Sequence, residues 1–314
     1  MIINTGLRTD IPAFYSKWLF SRIAAGHVMA RSPYNPGIVY KYSLSPAVVD
    51  LLSFCTKNPI PVLEKISMLK DYGQYWFITL TPYGRDIEPG VPDKKIIIEA
   101  IRELSAKIGK NCVGWRYDPV FLSDKYDEAY HRRAFEKIAS ALEGAVETCV
   151  ISFIDLYEKV KRNFPEAHEV PEQARLTLGE FFVRTAHRHG MVLKTCAEGN
   201  KLARFGADSG GCLTRETFEK AAGTRLDMPQ AKGGRHGKCA CYMSCDIGAY
   251  DTCGHLCRYC YANSNAAAVR ANMKNHNPES PLLAGSIASG DVIQEVKQKS
   301  WKMNCRAASQ PELF

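Results

Sequence analysis

One pattern recurs from the first residues to about residue 222: a short apolar run of β type, a polar or Pro-containing loop, then an amphipathic helical stretch. The apolar runs fall at residues 2–4, 27–30, 51–55, 75–80, 112–115, 148–153 and 191–194, and a short final unit begins at 205–208. Helical periodicity falls at 12–25, 62–72, 94–108, 124–142, 156–164, 171–189 and 214–222. Strands alternating with helices predict a parallel sheet, because a parallel neighbour is reached only by a long crossover. Eight such units in a row match an α/β fold of the (β/α)8 TIM-like barrel type. A doubly wound open sheet is the alternative. With 314 residues the chain is long enough to bury a large core in either arrangement.

After residue 223 the pattern stops. The expected organisation is a barrel domain over 1–223, a cysteine-rich segment over 224–264 and a tail over 265–314, with a weak helical signal at 291–302. Six of the twelve cysteines stand between Cys239 and Cys260, in CACYMSCDIGAYDTCGHLCRYC. The start of the chain has no basic stretch leading into an apolar one, and no apolar run is long enough to span a bilayer. A cytoplasmic location without a membrane partner is therefore expected, where clustered thiols serve metal or redox chemistry rather than disulfides.

The spacing Cys253-x3-Cys257-x2-Cys260 suits an iron–sulfur cluster in which each thiolate holds one iron. Three protein ligands to a [4Fe-4S] cluster leave one iron open, and an open iron can anchor S-adenosylmethionine. Zinc is the alternative metal, since thiolates suit it as well. Cys239 and Cys241, with Cys245 nearby, are candidate ligands of a second centre, a fourth ligand to the first, or a redox pair. His255 lies inside the motif, as a ligand or as a loop residue that only hydrogen-bonds.

A second constellation consists of polar residues at the expected C-terminal strand ends, which in a barrel converge on one mouth. Arg8, Asp10, Lys57, Arg116, Asp118 and Glu198 are the candidates for catalysis, and Tyr259, Asn58 and Tyr83 for cofactor contact. Plainer roles compete: Asp10 as an N-cap, Asp118 as a turn residue before Pro119, and Arg116 as its ion-pair partner. The arginines and lysine point to a polar or anionic small-molecule substrate. The net charge of +8 adds nucleic acid as a candidate partner, against the plainer reading of a solvated basic surface. The alternative to radical chemistry is a nucleic-acid-binding or repair-associated protein stapled by zinc or an iron–sulfur cluster, and a barrel hydrolase with a structural metal, using Asp10, Asp118 or Glu198, is a third reading.

The stretches Thr9-Asp10-Ile11-Pro12-Ala13-Phe14-Tyr15, Thr56-Lys57-Asn58-Pro59, Thr79-Leu80-Thr81-Pro82-Tyr83 and Trp115-Arg116-Tyr117-Asp118-Pro119 resemble a bacterial family catalogued as domain of unknown function 1848. So do Asp246-Ile247-Gly248-x-Tyr250 and Cys260-Tyr261-Ala262-Asn263, and the resemblance covers residues 1 to about 264. It implies C-terminal cysteines similar to the cluster motif of the radical S-adenosylmethionine superfamily, with Cys253, Cys257 and Cys260 as cluster ligands. A reductant such as ferredoxin or flavodoxin is then the expected protein partner. That superfamily carries its cysteine loop after the first barrel strand, whereas here it follows every β/α unit. The expectation is a C-terminal segment folded back over the barrel mouth.

Overall fold

A computed structural model describes residues 1–229, 241–243 and 245–303. The main sheet is parallel and six-stranded, and the fold is α/β as expected. Its strands are β1 (Ile2–Asn4), β4 (Leu51–Thr56), β5 (Gly73–Thr79), β6 (Val113–Val120), β7 (Thr148–Phe153) and β8 (Val192–Thr195), in that order across the sheet. A smaller sheet joins β2 (His27–Arg31), β3 (Ile38–Ser43) and β9 (Val292–Glu295), with β2 antiparallel to β3 and β9 parallel to it.

The strands of the main sheet are apolar because helices cover them: every residue of β4 is buried, and Phe54 stacks on Trp76 of β5 at 4.0 Å. The helix Lys94–Ile108 lays Ile97, Ile101 and Leu104 against the core, a helical spacing. Asp93 caps it by accepting from the Lys95 N–H at 2.8 Å.

Two of the eight anticipated units do not give strands of the main sheet, and among the described residues the hydrogen-bonded sheet does not close. The run at 27–30 leaves the main sheet, because a nearby partner is available in β3 through a short connection, and hairpin pairing wins over a long crossover. The last unit contributes a single bridge, Lys194 to Asp208, beside β8. Strand order follows chain order without reversal, so the sheet is not doubly wound either.

The gap between β8 and β1 is spanned by irregular chain. Asp208 bridges to Lys194 on one side, Asp246 bridges to Asn4 on the other, and the Tyr242 N–H donates to the Leu213 carbonyl at 2.8 Å between them. The cysteine-rich stretch therefore runs beside the first strand. The C-terminal stretch also packs back: β9 extends the small sheet, and the Trp301 N–H donates to Asp50 at 2.7 Å. The weak helical pattern at 291–302 yields to edge-strand pairing, where backbone hydrogen bonds outweigh a marginal propensity.

Candidate functional site

The C-terminal ends of β1, β4, β5, β6 and β7 open onto one cavity of about 190 Å³. Arg8 and Asp10 reach it from the loop after β1, Lys57 from the end of β4, Arg116 and Asp118 from β6, and Ser152 from β7. Cys253, His255, Cys257, Tyr259 and Cys260 form the facing wall. The three motif cysteines and the strand-end charges thus share one space, although the motif follows every strand of the main sheet in sequence.

The cysteine loop is held by several anchors. His255, 2% exposed, meets Asp10 Oδ2 through Nε2 at 2.8 Å and the Gly90 carbonyl through Nδ1 at 3.1 Å. Both ring nitrogens are engaged, so His255 positions the loop rather than offering a ligand nitrogen. The Tyr15 hydroxyl donates to the Thr252 carbonyl at 2.6 Å, and the Tyr261 hydroxyl to the Leu7 carbonyl. Leu256, between Cys253 and Cys257, has φ +53°, a costly conformation for a branched side chain.

Backbone meets this loop closely at Gly90, whose N–H donates to the His255 carbonyl at 3.0 Å. A Cβ on Gly90 would stand 2.4 Å from the Gly254 oxygen and 2.8 Å from His255 Cα, both backbone. Gly90→Ala is expected to cost about 1–3 kcal/mol by pushing this loop away, measured as a lowered denaturation midpoint.

Glu88, which the strand-end pattern missed, is the buried centre of the anchoring. It is 1% exposed, and its Oε1 accepts from Lys57 Nζ at 2.8 Å, from Thr81 Oγ1 at 2.6 Å and from the Tyr259 hydroxyl. Lys94 pairs with its other oxygen. Burial pushes this carboxyl up, but Lys57 and Lys94 together outweigh burial and hold it down at about 2. One carboxylate serves two lysines unequally. For Lys57 burial is outweighed by Glu88 and Cys257, raising it, while for Lys94 burial and repulsion from Lys57 win, lowering it. The tyrosine before the third motif cysteine therefore ties the loop to Lys57.

The other charges are paired within the protein too. Arg8 Nε donates to Asp246 Oδ2 at 2.6 Å, and its Nη2 to the Asp246 carbonyl at 2.6 Å. Arg116 pairs with Asp118, which also accepts from Ser152 Oγ, and the guanidinium lies 4.9 Å over the Phe77 ring. Burial works against the Arg116 charge, and Asp118 together with the nearby Cys196, Cys55 and Cys212 more than offsets it. The Arg116 Nε and Thr9 Oγ1 are buried with no hydrogen-bond partner. Asp10 caps the helix Ile11–Phe14 through Oδ1, at 3.0 Å from the Ala13 N–H, and accepts from the Lys57 N–H through Oδ2.

The three thiols sit close enough to oppose one another's ionisation. Burial first, and then neighbouring negative groups, push Cys253 well up; burial raises Cys257 to about 12 and also raises Cys260. Such thiols become thiolates only when a cation offsets the cost. Among the described residues no three His, Cys, Asp or Glu side chains form a group that could hold one metal ion.

Three expected site residues lie elsewhere. Tyr83 is buried beneath the cavity, stacked on Phe121 at 4.3 Å with its hydroxyl donating to the Pro119 carbonyl. Asn58 shapes a turn by accepting from the Ile60 N–H at 3.2 Å. Glu198 accepts from the Phe153 N–H at 2.8 Å and pairs with Arg175. Cys241 packs on Cys212, with 3.4 Å between the sulfurs, rather than joining the motif cysteines, and Cys239 lies outside the described residues.

Fold and site together define an α/β protein whose strand-end cavity is walled by a cysteine loop. The chain belongs to the family described as Domain of unknown function (DUF1848), which matches residues 2–262. The matched region ends just past Cys260, so it includes both walls of the cavity. No curated protein matches the chain. Among the described residues no helix is long and apolar enough to cross a membrane.

Proposed function

We propose that this chain is an iron–sulfur enzyme of the radical S-adenosylmethionine-like kind, acting on a polar or anionic small molecule. In this reading Cys253, Cys257 and Cys260 hold a [4Fe-4S] cluster. When bound, the cluster would supply single electrons to S-adenosylmethionine, drawn from a ferredoxin- or flavodoxin-type reductant. The observation that carries the reading is the shared cavity: three thiols at cluster spacing, Cys257 buried and Cys253 and Cys260 half-buried, face Arg8, Lys57, Arg116 and Asp118 across it. We further infer an irregular, singly wound barrel, in which the chain at 208–213, 241–243 and 245–246 stands in for its last staves.

The protein's own groups do the remaining work. Glu88 keeps Lys57 charged beside Cys257, which favours the thiolate there. Arg116, seated between Phe77 and Asp118, presents fixed positive charge to a substrate without paying reorganisation on binding. His255 and Tyr259 fix the loop, and the buried walls keep water scarce around the reacting groups.

Anaerobic reconstitution of the full chain tests this. Uptake of about four irons and four sulfides is expected, with loss of nearly all of it in a Cys253, Cys257 and Cys260 triple alanine variant. S-adenosylmethionine is expected to change the electron paramagnetic resonance spectrum of the reduced cluster and to yield 5′-deoxyadenosine. Stoichiometric zinc in place of iron, together with salt-dependent nucleic-acid binding, overturns the reading.

A further inference from the structure

A second group of thiols lies apart from the cavity. Cys196 follows β8, Cys212 follows the bridge at Asp208, and Cys241 belongs to the cysteine-rich stretch. Cys212 hydrogen-bonds to Cys241, and Cys196 is near enough to Cys212 for each to influence the other's ionisation. The Cys212 and Cys241 sulfurs are 3.4 Å apart, and the Cys212 and Leu213 N–H groups both donate to the Cys241 sulfur, at 3.2 and 3.4 Å. None of the three lines the cavity. Cys212 and Cys241 are 3% and 4% exposed, whereas Cys196 is only partly buried.

We propose that Cys196, Cys212 and Cys241 form a thiol–disulfide relay that cross-links Cys212 to Cys241 and so staples the gap between β8 and β1. The location argues for it. The relay spans the place where the main sheet fails to close, next to the bond between the Tyr242 N–H and the Leu213 carbonyl. Two sulfurs already in contact need to approach by only about 1.4 Å to reach bonding distance. The same three residues are not arranged to hold a single metal ion.

The oxidant is a small disulfide of the glutathione class. Cys196, the accessible member, attacks it as thiolate, forming a mixed disulfide and expelling one thiol. Cys212 then attacks the Cys196 sulfur, expelling the second thiol and forming a Cys196–Cys212 bond. Cys241 attacks Cys212 next, and Cys196 returns to thiol. In sum, one external disulfide and two protein thiols become one protein disulfide and two external thiols. Two electrons and two protons pass to the oxidant.

The test uses full-length protein purified without oxygen, incubated with oxidised glutathione, alkylated and mapped by peptide mass spectrometry. A Cys212–Cys241 cross-linked peptide is expected, preceded by glutathione on Cys196. Cys196→Ser is expected to slow the cross-link about tenfold or more, because the remaining thiols are buried. Cys241→Ser is expected to stop at a Cys196–Cys212 bond. Separate alkylation of Cys212 and Cys241 in the unaltered protein overturns the proposal, as does pairing of either with Cys239 or metal retained on the three sulfurs. So does a Cys196→Ser variant, folded by circular dichroism, that cross-links at the unaltered rate.

Discussion

Replacing Glu88 with glutamine is expected to lower the unfolding free energy at pH 7 by about 3–5 kcal/mol, as a reduced midpoint in urea. The amide keeps the shape but removes the carboxylate that bridges Lys57 and Lys94 inside the protein, leaving two ammonium groups without their shared salt-bridge partner. The same effect has a pH signature. Glu88 titrates near 4.5 in the unfolded chain and at about 2 when folded, so its folded pKa is depressed. Its contribution is complete above the unfolded value, shrinks below it and is gone as pH falls through about 2. The stability difference between the parent and Glu88→Gln should therefore narrow as pH falls from 4.5 towards 2. A constant difference over that range would refute the assignment.

Arg8→Met is the second large effect, an expected loss of about 3–5 kcal/mol near pH 8. The Asp246 side chain is only 10% exposed; burial raises its carboxyl and Arg8 is the strongest influence opposing that rise. Without the guanidinium the carboxylate has no cation to face, and the variant folds best with Asp246 protonated. The sign is opposite to that of Glu88: a carboxyl raised in the folded state adds stability at low pH and loses it as pH rises through the folded pKa. Arg8→Met is thus expected to lie closer to the parent at pH 5 than at pH 8 in denaturant titrations. Because Asp246 also bridges to Asn4, the variant should loosen the side of the sheet next to β1 first, visible as faster amide exchange at residues 2–4.

The parallel sheet was readable because buried parallel strands are continuous apolar runs, and six of the eight runs lie where expected. Closure was not readable. The run at 27–30 has the same local character as its neighbours, and only tertiary competition sends it to β3. In the site, Arg8, Asp10, Lys57, Arg116, Asp118 and the three motif cysteines came from two separable signals, strand ends and spacing, and the structure brings them to one cavity. Glu88 escaped because it sits deep in the long loop after β5, where distance from a strand end says nothing about burial. Tyr83 and Glu198 were drawn in by that rule for the opposite reason: a residue just past a strand can turn into the core or toward a helix. The thiol row of Cys196, Cys212 and Cys241 has no sequence spacing at all, since each sulfur comes from a different segment.

The pairing of Asn4 with Asp246 sets a schedule for folding. The outer edge of β1 exists as soon as the first strand and β4 have met, but the chain that covers it is made last within the matched region. Until then a short strand that the folded protein buries completely offers unpaired amides to whatever is nearby. Contacts of such long sequence separation form slowly, since the intervening loop must be closed before they return any free energy. During synthesis the open side of this sheet stays uncovered until the cysteine-rich stretch emerges.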